Sequence, residues 1–99
     1  MDKVRIGLIG LGWMGQLHLQ YLSEMEGCII EAVCDVDEKR AGETAEKYGA
    51  RAFTDYHLLL EEDAVDAVYI VTPQMYHFEI LKAALLTGKH ILCEKPLVL

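Results

Sequence analysis

Residues 4–15, VRIGLIGLGWMG, constrain this chain more than any other stretch. An apolar run (Val4, Ile6, Leu8 and Ile9, with Arg5 near its start) leads directly into Gly10-Leu11-Gly12-Trp13-Met14-Gly15. A strand that turns through glycines spaced G-x-G-x-x-G into a helix leaves few folds open. Gly10 suits the tight turn, Gly12 lets a pyrophosphate approach the backbone because it has no Cβ, and Gly15 brings the helix close to the strand. A Cβ forced into left-handed backbone would cost roughly 1–2 kcal/mol. Free N–H groups at the helix start, the Trp13 amide among them, and the positive end of the helix dipole attract phosphate. Glycines used only for turning would leave the same spacing, so the remainder of the chain decides.

In order along the chain, Met14, Leu17, Tyr21, Leu22 and Met25 recur with helical period and predict the buried face of a first helix that Gly27 ends. Residues 29–34 (IIEAVC) predict a second strand, parallel to the first because a whole helix separates them. Asp37 predicts the N-cap of a helix running through Ala41, Ala45 and Tyr48 to Gly49. A short strand at 51–53 and a brief helix capped by Asp55 follow, with Glu61, Glu62 and Asp63 expected as a solvated face. Residues 66–71 predict a fourth strand that stops at Thr72-Pro73. A helix with His77, Ile80, Leu81, Ala84 and Leu85 on one face ends at Gly88, and residues 91–93 form a fifth strand leading into Glu94-Lys95-Pro96. Alternating strands and helices, with strands apolar on both faces, predict an α/β doubly wound parallel sheet in the order 3-2-1-4-5.

A net charge of −7 speaks against nucleic acid, because there is no basic stripe to neutralise phosphates. A bound anion would be held by backbone and dipole instead. Cys28, Cys34 and Cys93 lack metal-ligand spacing, and no metal site is expected. Cys34 and Cys93 fall inside predicted strands, as small buried thiols, and a reducing, cytoplasmic compartment follows. No stretch is long and apolar enough to span a membrane.

In sheets of this type ligands bind at the carboxyl ends of the strands, where the strand order reverses. The motif-bearing segments Gly10–Gly15, Asp35, Thr72-Pro73 and Glu94-Lys95-Pro96 all fall on that edge. Asp35, twenty residues after Gly15, stands where an acid accepts hydrogen bonds from an adenosine ribose. The alternative is a loop aspartate that satisfies nearby backbone. A carboxylate about 4 Å from an additional phosphate would meet a repulsion of roughly 4 kcal/mol per unit charge at an effective dielectric of about 20. NAD is therefore preferred, with NADP possible because Lys39 and Arg40 soften the repulsion. Lys95 alone would read as a surface lysine after a strand, but with Glu94 and Pro96 beside it at this edge it is expected to hydrogen-bond a substrate hydroxyl. His77 either faces the cofactor or covers its helix start. His18, His57 and His90 carry no motif and are expected to be surface or packing residues.

Taken together, VRIGLIGLGWMG, AVCDVDEKRA, YIVTPQMYH and GKHILCEKPL resemble the N-terminal domain of the glucose–fructose oxidoreductase / inositol dehydrogenase / MocA family of NAD(P)-dependent oxidoreductases. The resemblance implies that Gly10, Gly12, Trp13 and Met14 line the pyrophosphate, and that Asp35 meets the ribose. It further implies that Thr72, Pro73 and His77, with Glu94, Lys95 and Pro96, border the nicotinamide half, and that Lys95 takes part in catalysis. The implied substrates are sugars, inositols or related polyols. Gln74 stands where asparagine is common, and it keeps the amide.

Family members continue into a C-terminal sheet domain that supplies substrate contacts. Residues 1–99 are therefore expected to be one nucleotide-binding domain, either a piece of a longer chain or a shortened product, and inactive alone. The fifth strand and Leu97-Val98-Leu99 predict self-association, hence a homo-oligomer. A redox sensor or assembly module that binds the nucleotide without chemistry is the alternative in a different functional class.

Overall fold

The computed structural model describes residues 3–93, the side chains of residues 74 and 93 apart. Five parallel strands, β1 (Val4–Ile9), β2 (Cys28–Cys34), β3 (Arg51–Phe53), β4 (Ala67–Ile70) and β5 (His90–Cys93), lie in the order β3-β2-β1-β4-β5. The helices are α1 (Trp13–Ser23), α2 (Glu38–Tyr48), α3 (Tyr56–Leu60) and α4 (Gln74–Leu85). The predicted doubly wound sheet and its strand order are both present.

Two cores form because the strands are apolar on both faces. Ile6, Leu8, Ile30 and Val33 pack with Leu11 and with Leu19 and Leu22 of α1 and Ala41 and Ala45 of α2. Ile9, Ala32, Cys34, Val68 and Ile70 pack on the opposite face with Leu59 and Leu60 of α3 and Ile80 and Ala84 of α4. The β1–β2 register slips between Ile6 and Gly7: Ile6 pairs with Ile30, and Gly7 with Ala32. Glu31 is the extra residue, and this bulge lets Ile30 and Val33, three apart, share a face. Simple alternation along residues 29–34 could not show it.

Asp37 and Asp55 cap α2 and α3 as expected, accepting from the amides of Arg40 and His57, and Gly49 closes α2 in left-handed conformation. The first helix differs from expectation. Gly15, Leu19 and Leu22 form its buried face, whereas Tyr21 and Met25 are 59% and 53% exposed. The cause is Gly15, where a Cβ would lie 1.9 Å from the Gly10 carbonyl oxygen. The glycine must face the strand, and this requirement turns α1 about a quarter turn away from its bulkiest side chains. Nor does Gly27 end this helix. α1 stops at Ser23 with Glu24 as C-cap, and the Gly27 carbonyl accepts from the Val4 amide at 2.8 Å. On α4, Leu85 is exposed rather than buried. Glu62 is not simply solvated, because it pairs with Arg51.

Candidate functional site

The strand order reverses between β1 and β4, and the chain opens there into a cleft of about 750 Å³. Its floor is the end of β1 and the glycine turn. Gly10 has φ +103, and a Cβ there would meet the Val71 carbonyl oxygen at 2.5 Å. This glycine therefore serves both the turn and the close approach of β4. Gly12 is different: its φ is −71, and a Cβ would meet nothing within 4 Å. The fold itself does not need a glycine there.

α1 and α4 flank the reversal point, and neither has a side-chain cap or an acid in its first turn. The first bond within α1 runs from the Gln16 amide to the Gly12 carbonyl, at 2.9 Å. The amides ahead of it have no partner inside the helix and, with the helix dipole, make a place for an anion. α2 and α3 start on the same edge but are closed by their own aspartates.

Of the residues singled out in the sequence, Gly10, Gly12, Trp13, Met14, Asp35, Thr72, Pro73 and His77 line this cleft. Gly15 lies buried beneath it against Gly10. Glu94, Lys95 and Pro96 lie outside the described residues. Trp13 is 77% exposed, whereas His77 is only 5% exposed. His77 Nε2 and Thr72 Oγ1 are buried without a hydrogen-bond partner. An unpaired buried polar atom costs about 1–3 kcal/mol, and a ligand that pairs it removes that cost.

The Asp35 side chain is 11% exposed. Its Oδ2 accepts from the Leu11 amide and its Oδ1 from the Asp37 amide, each at 2.9 Å, with an Arg40 guanidinium nitrogen 3.8 Å from Oδ2. Backbone satisfaction, the alternative to the preferred ribose role of Asp35, is thus present. A carboxylate offers about four lone-pair sites, so room for ribose hydroxyls remains. Burial, followed by the charges of Asp35 and Asp55, pushes the neighbouring Cys34 thiol up to about 12, which makes it an inert core residue. Among the described residues, no group of three or more His, Cys, Asp or Glu could hold a metal ion, and no helix is long and apolar enough to cross a membrane.

Sequence reasoning missed Val36, Thr54, Tyr56 and Tyr76, which also line the cleft. Thr54 and Val36 could have been found, since each follows a strand on the carboxyl edge. Tyr56 and Tyr76 arrive through the placement of α3 and α4, for which no local signal exists. The uncapped start of α1 was legible, as a helix beginning without Ser, Thr, Asp or Asn. Thr72-Pro73 instead reads as a capped start of α4, and only the structure shows Pro73 in the cap position with no side-chain bond.

A family model described as an oxidoreductase family with an NAD-binding Rossmann fold, GFO_IDH_MocA, matches residues 4–99. A myo-inositol 2-dehydrogenase of Thermotoga maritima is 41% identical over 97 residues, covering 97% of this chain and 29% of that protein. A glycosyl hydrolase family 109 protein of Shewanella is 38% identical over 107 residues, covering 98% of this chain and 24% of that protein. The chain thus spans less than a third of the length of these relatives. A 3-ketoreductase from Actinomadura kijaniata, solved in complex with TDP-benzene and NADP, superposes with a TM-score of 0.92 at 35% identity, covering 98% of this chain and 31% of that one. Over nearly its whole length, then, this chain belongs to the Gfo/Idh/MocA oxidoreductase family, as its NAD-binding Rossmann domain.

Proposed function

We propose that residues 1–99 are one domain that binds NAD, with NADP as the second cofactor, along the cleft at the reversal point. In the complete protein the bound nicotinamide exchanges a hydride with a sugar, inositol or related polyol. The observation that carries this proposal is Gly12, a glycine with ordinary φ and open space around it. Packing does not explain that choice, but close approach of a pyrophosphate does.

Gly10, Trp13 and Met14 border the phosphates, and Gly15 keeps α1 against β1 so that its amides face them. Asp35 takes the adenosine ribose, its charge disfavouring a further phosphate while Arg40, 3.8 Å away, keeps NADP within reach. Thr72, Pro73 and His77 border the nicotinamide half, where Thr72 Oγ1 and His77 Nε2 gain the partners they lack. By resemblance, Glu94 and Pro96 complete this end, and Lys95 orients the substrate hydroxyl and assists its proton transfer.

Proteins named as an inositol dehydrogenase and as a glycosyl hydrolase are both similar to this domain, which supports substrate selection by residues outside it. On its own the chain accordingly binds cofactor without turnover. A reducing, cytoplasmic setting, with Cys28 and Cys34 as free thiols, belongs to the same proposal. So does a homo-oligomer, which a clean monomer in sedimentation at high concentration would overturn.

Titration of NADH and NADPH, followed through Trp13 fluorescence, tests the assignment. Saturable binding with NADH tighter is expected. Gly12→Ala is expected to bind about tenfold more weakly while its unfolding midpoint falls only slightly, since its Cβ meets no protein atom and only the N-cap preference for glycine over alanine is lost. Tighter NADPH overturns the cofactor preference, and binding of neither overturns the function.

A further inference from the structure

The glycine loop is held from behind by side chains outside the fingerprint. Leu11, between the first two glycines, has both backbone polar groups engaged by side chains and its own side chain only 1% exposed. Its amide donates to Asp35 Oδ2 at 2.9 Å, and its carbonyl accepts from Gln16 Nε2 at 3.1 Å. Gln16 Nε2 also donates to Thr44 Oγ1 at 2.9 Å, and Thr44 is buried in α2. Asp35 in turn accepts from the Asp37 amide at the start of that helix. The loop is therefore tied twice to α2, once through the Leu11 amide and once through the Leu11 carbonyl, which belong to the two peptide units flanking that residue.

We propose that Gln16 and Thr44, with Asp35, form a clamp on Leu11 that presets the glycine loop for pyrophosphate, which makes Gln16 and Thr44 positioning residues for cofactor binding. The inference rests on the cofactor-binding function proposed above. Glycines at positions 10 and 12 give the loop more backbone freedom than any other residue would. Fixing the two peptides on either side of Leu11 removes much of that freedom before the ligand arrives, so less ordering cost falls on binding. Asp35 keeps its bonds to the Leu11 and Asp37 amides whether or not Gln16 is present, so the ribose end is held independently of the Gln16–Thr44 arm of the clamp.

NADH and adenosine titrations of Gln16→Leu, Thr44→Val and Thr44→Ser, alongside the unsubstituted chain, test the clamp. Adenosine reaches the Asp35 end and carries no pyrophosphate. Gln16→Leu is expected to weaken NADH binding about tenfold and Thr44→Val about threefold, the range of one or two hydrogen bonds. Thr44→Ser retains the hydroxyl and stays within about twofold. The double variant Q16L/T44V is expected to be no weaker than Q16L, because Thr44 acts through Gln16. Adenosine affinity stays unchanged throughout. Equal NADH affinity in Q16L and the unsubstituted chain overturns the clamp, as does a parallel loss of adenosine binding, which would mark a merely structural role.

Amide hydrogen exchange without ligand separates this inference from the proposed function. If the unsubstituted chain binds neither NADH nor NADPH, the function fails while the exchange data still judge the clamp. Faster exchange at Leu11 and Gly12 in Q16L, with the rest of α1 unaffected, supports it, and unchanged exchange there overturns it.

Discussion

The two edges of the sheet solve the same problem in opposite ways. At the amino edge, side chains that cross between elements close on one another. The Asp66 carboxylate accepts from the Arg5 amide at 2.9 Å and from its guanidinium at 3.2 and 3.0 Å, while the Asp66 amide donates back to the Arg5 carbonyl at 2.7 Å. Lys89 Nζ donates to the carbonyls of Glu62 and Val65 at 2.8 Å each, and Arg51 pairs with Glu62. At the carboxyl edge, α1 and α4 start uncapped, and Thr72 Oγ1 and His77 Nε2 are buried without partners. Each such atom weakens the ligand-free chain, and a fold tolerates the loss where something else supplies the partner. The sheet holds itself together at one edge and leaves interactions open at the other.

Gly15 offers the hardest test of that division, because there the fold, not the ligand, demands a glycine at the carboxyl edge. Gly15→Ala sets a Cβ 1.9 Å from the Gly10 carbonyl oxygen, a backbone atom that cannot swing aside. A loss of about 3 kcal/mol or more is expected in denaturant unfolding, at or beyond the upper range for overpacking. An unfolding curve like that of the unsubstituted chain would mean that α1 can lift off β1, and would undo the account of its rotation.

Lys89→Met exchanges an ammonium for an apolar tip of similar length and removes the donor to two carbonyls, of which that of Glu62 keeps the Val65 amide at 3.1 Å. Its expected cost is about 2 kcal/mol, in the range for hydrogen bonds to a charged group, with NADH affinity unchanged. His77→Leu should do the reverse. Removing the unpaired Nε2 stabilises the ligand-free chain by about 1 kcal/mol, and cofactor binding weakens. If Lys89→Met impairs binding, or His77→Leu destabilises the chain, the two edges are not independent.

Much of this arrangement was legible in the sequence, and the misses have physical causes. The strand–glycine–helix start, the aspartate caps and the strand ends are local signals, and they yield the order 3-2-1-4-5 once right-handed crossovers are imposed. The face of α1 was misread because the residue that sets its rotation is the one without a side chain. The bulge at Glu31 was invisible for a similar reason, since register depends on what β1 presents. At the site, residues contributed by strand ends could be placed, whereas Tyr56 and Tyr76 reach the cleft through helix packing. The hydrogen bonds from Gln16 to Leu11 and Thr44 join residues up to 28 positions apart and follow no pattern in the sequence.

The smallest expected effect lies at the amino edge and depends on pH. Hydrogen bonds from the Arg5 side chain, and then from its backbone amide, hold the Asp66 carboxyl at about 2, below its ordinary 3.8. Because the folded value lies below the unfolded one, the fold favours the ionised form. Its contribution is whole above about pH 4 and is lost as pH falls through about 2. Unfolding midpoints of Asp66→Asn and the unsubstituted chain should therefore differ at neutral pH and converge towards pH 2. Both side chains are well exposed, so added salt should shrink the gap as well. A gap indifferent to both acid and salt would assign the closure of this edge to hydrogen-bond geometry rather than charge. The amino edge would then differ from the carboxyl edge in having its polar groups paired, and not in the charge those groups carry.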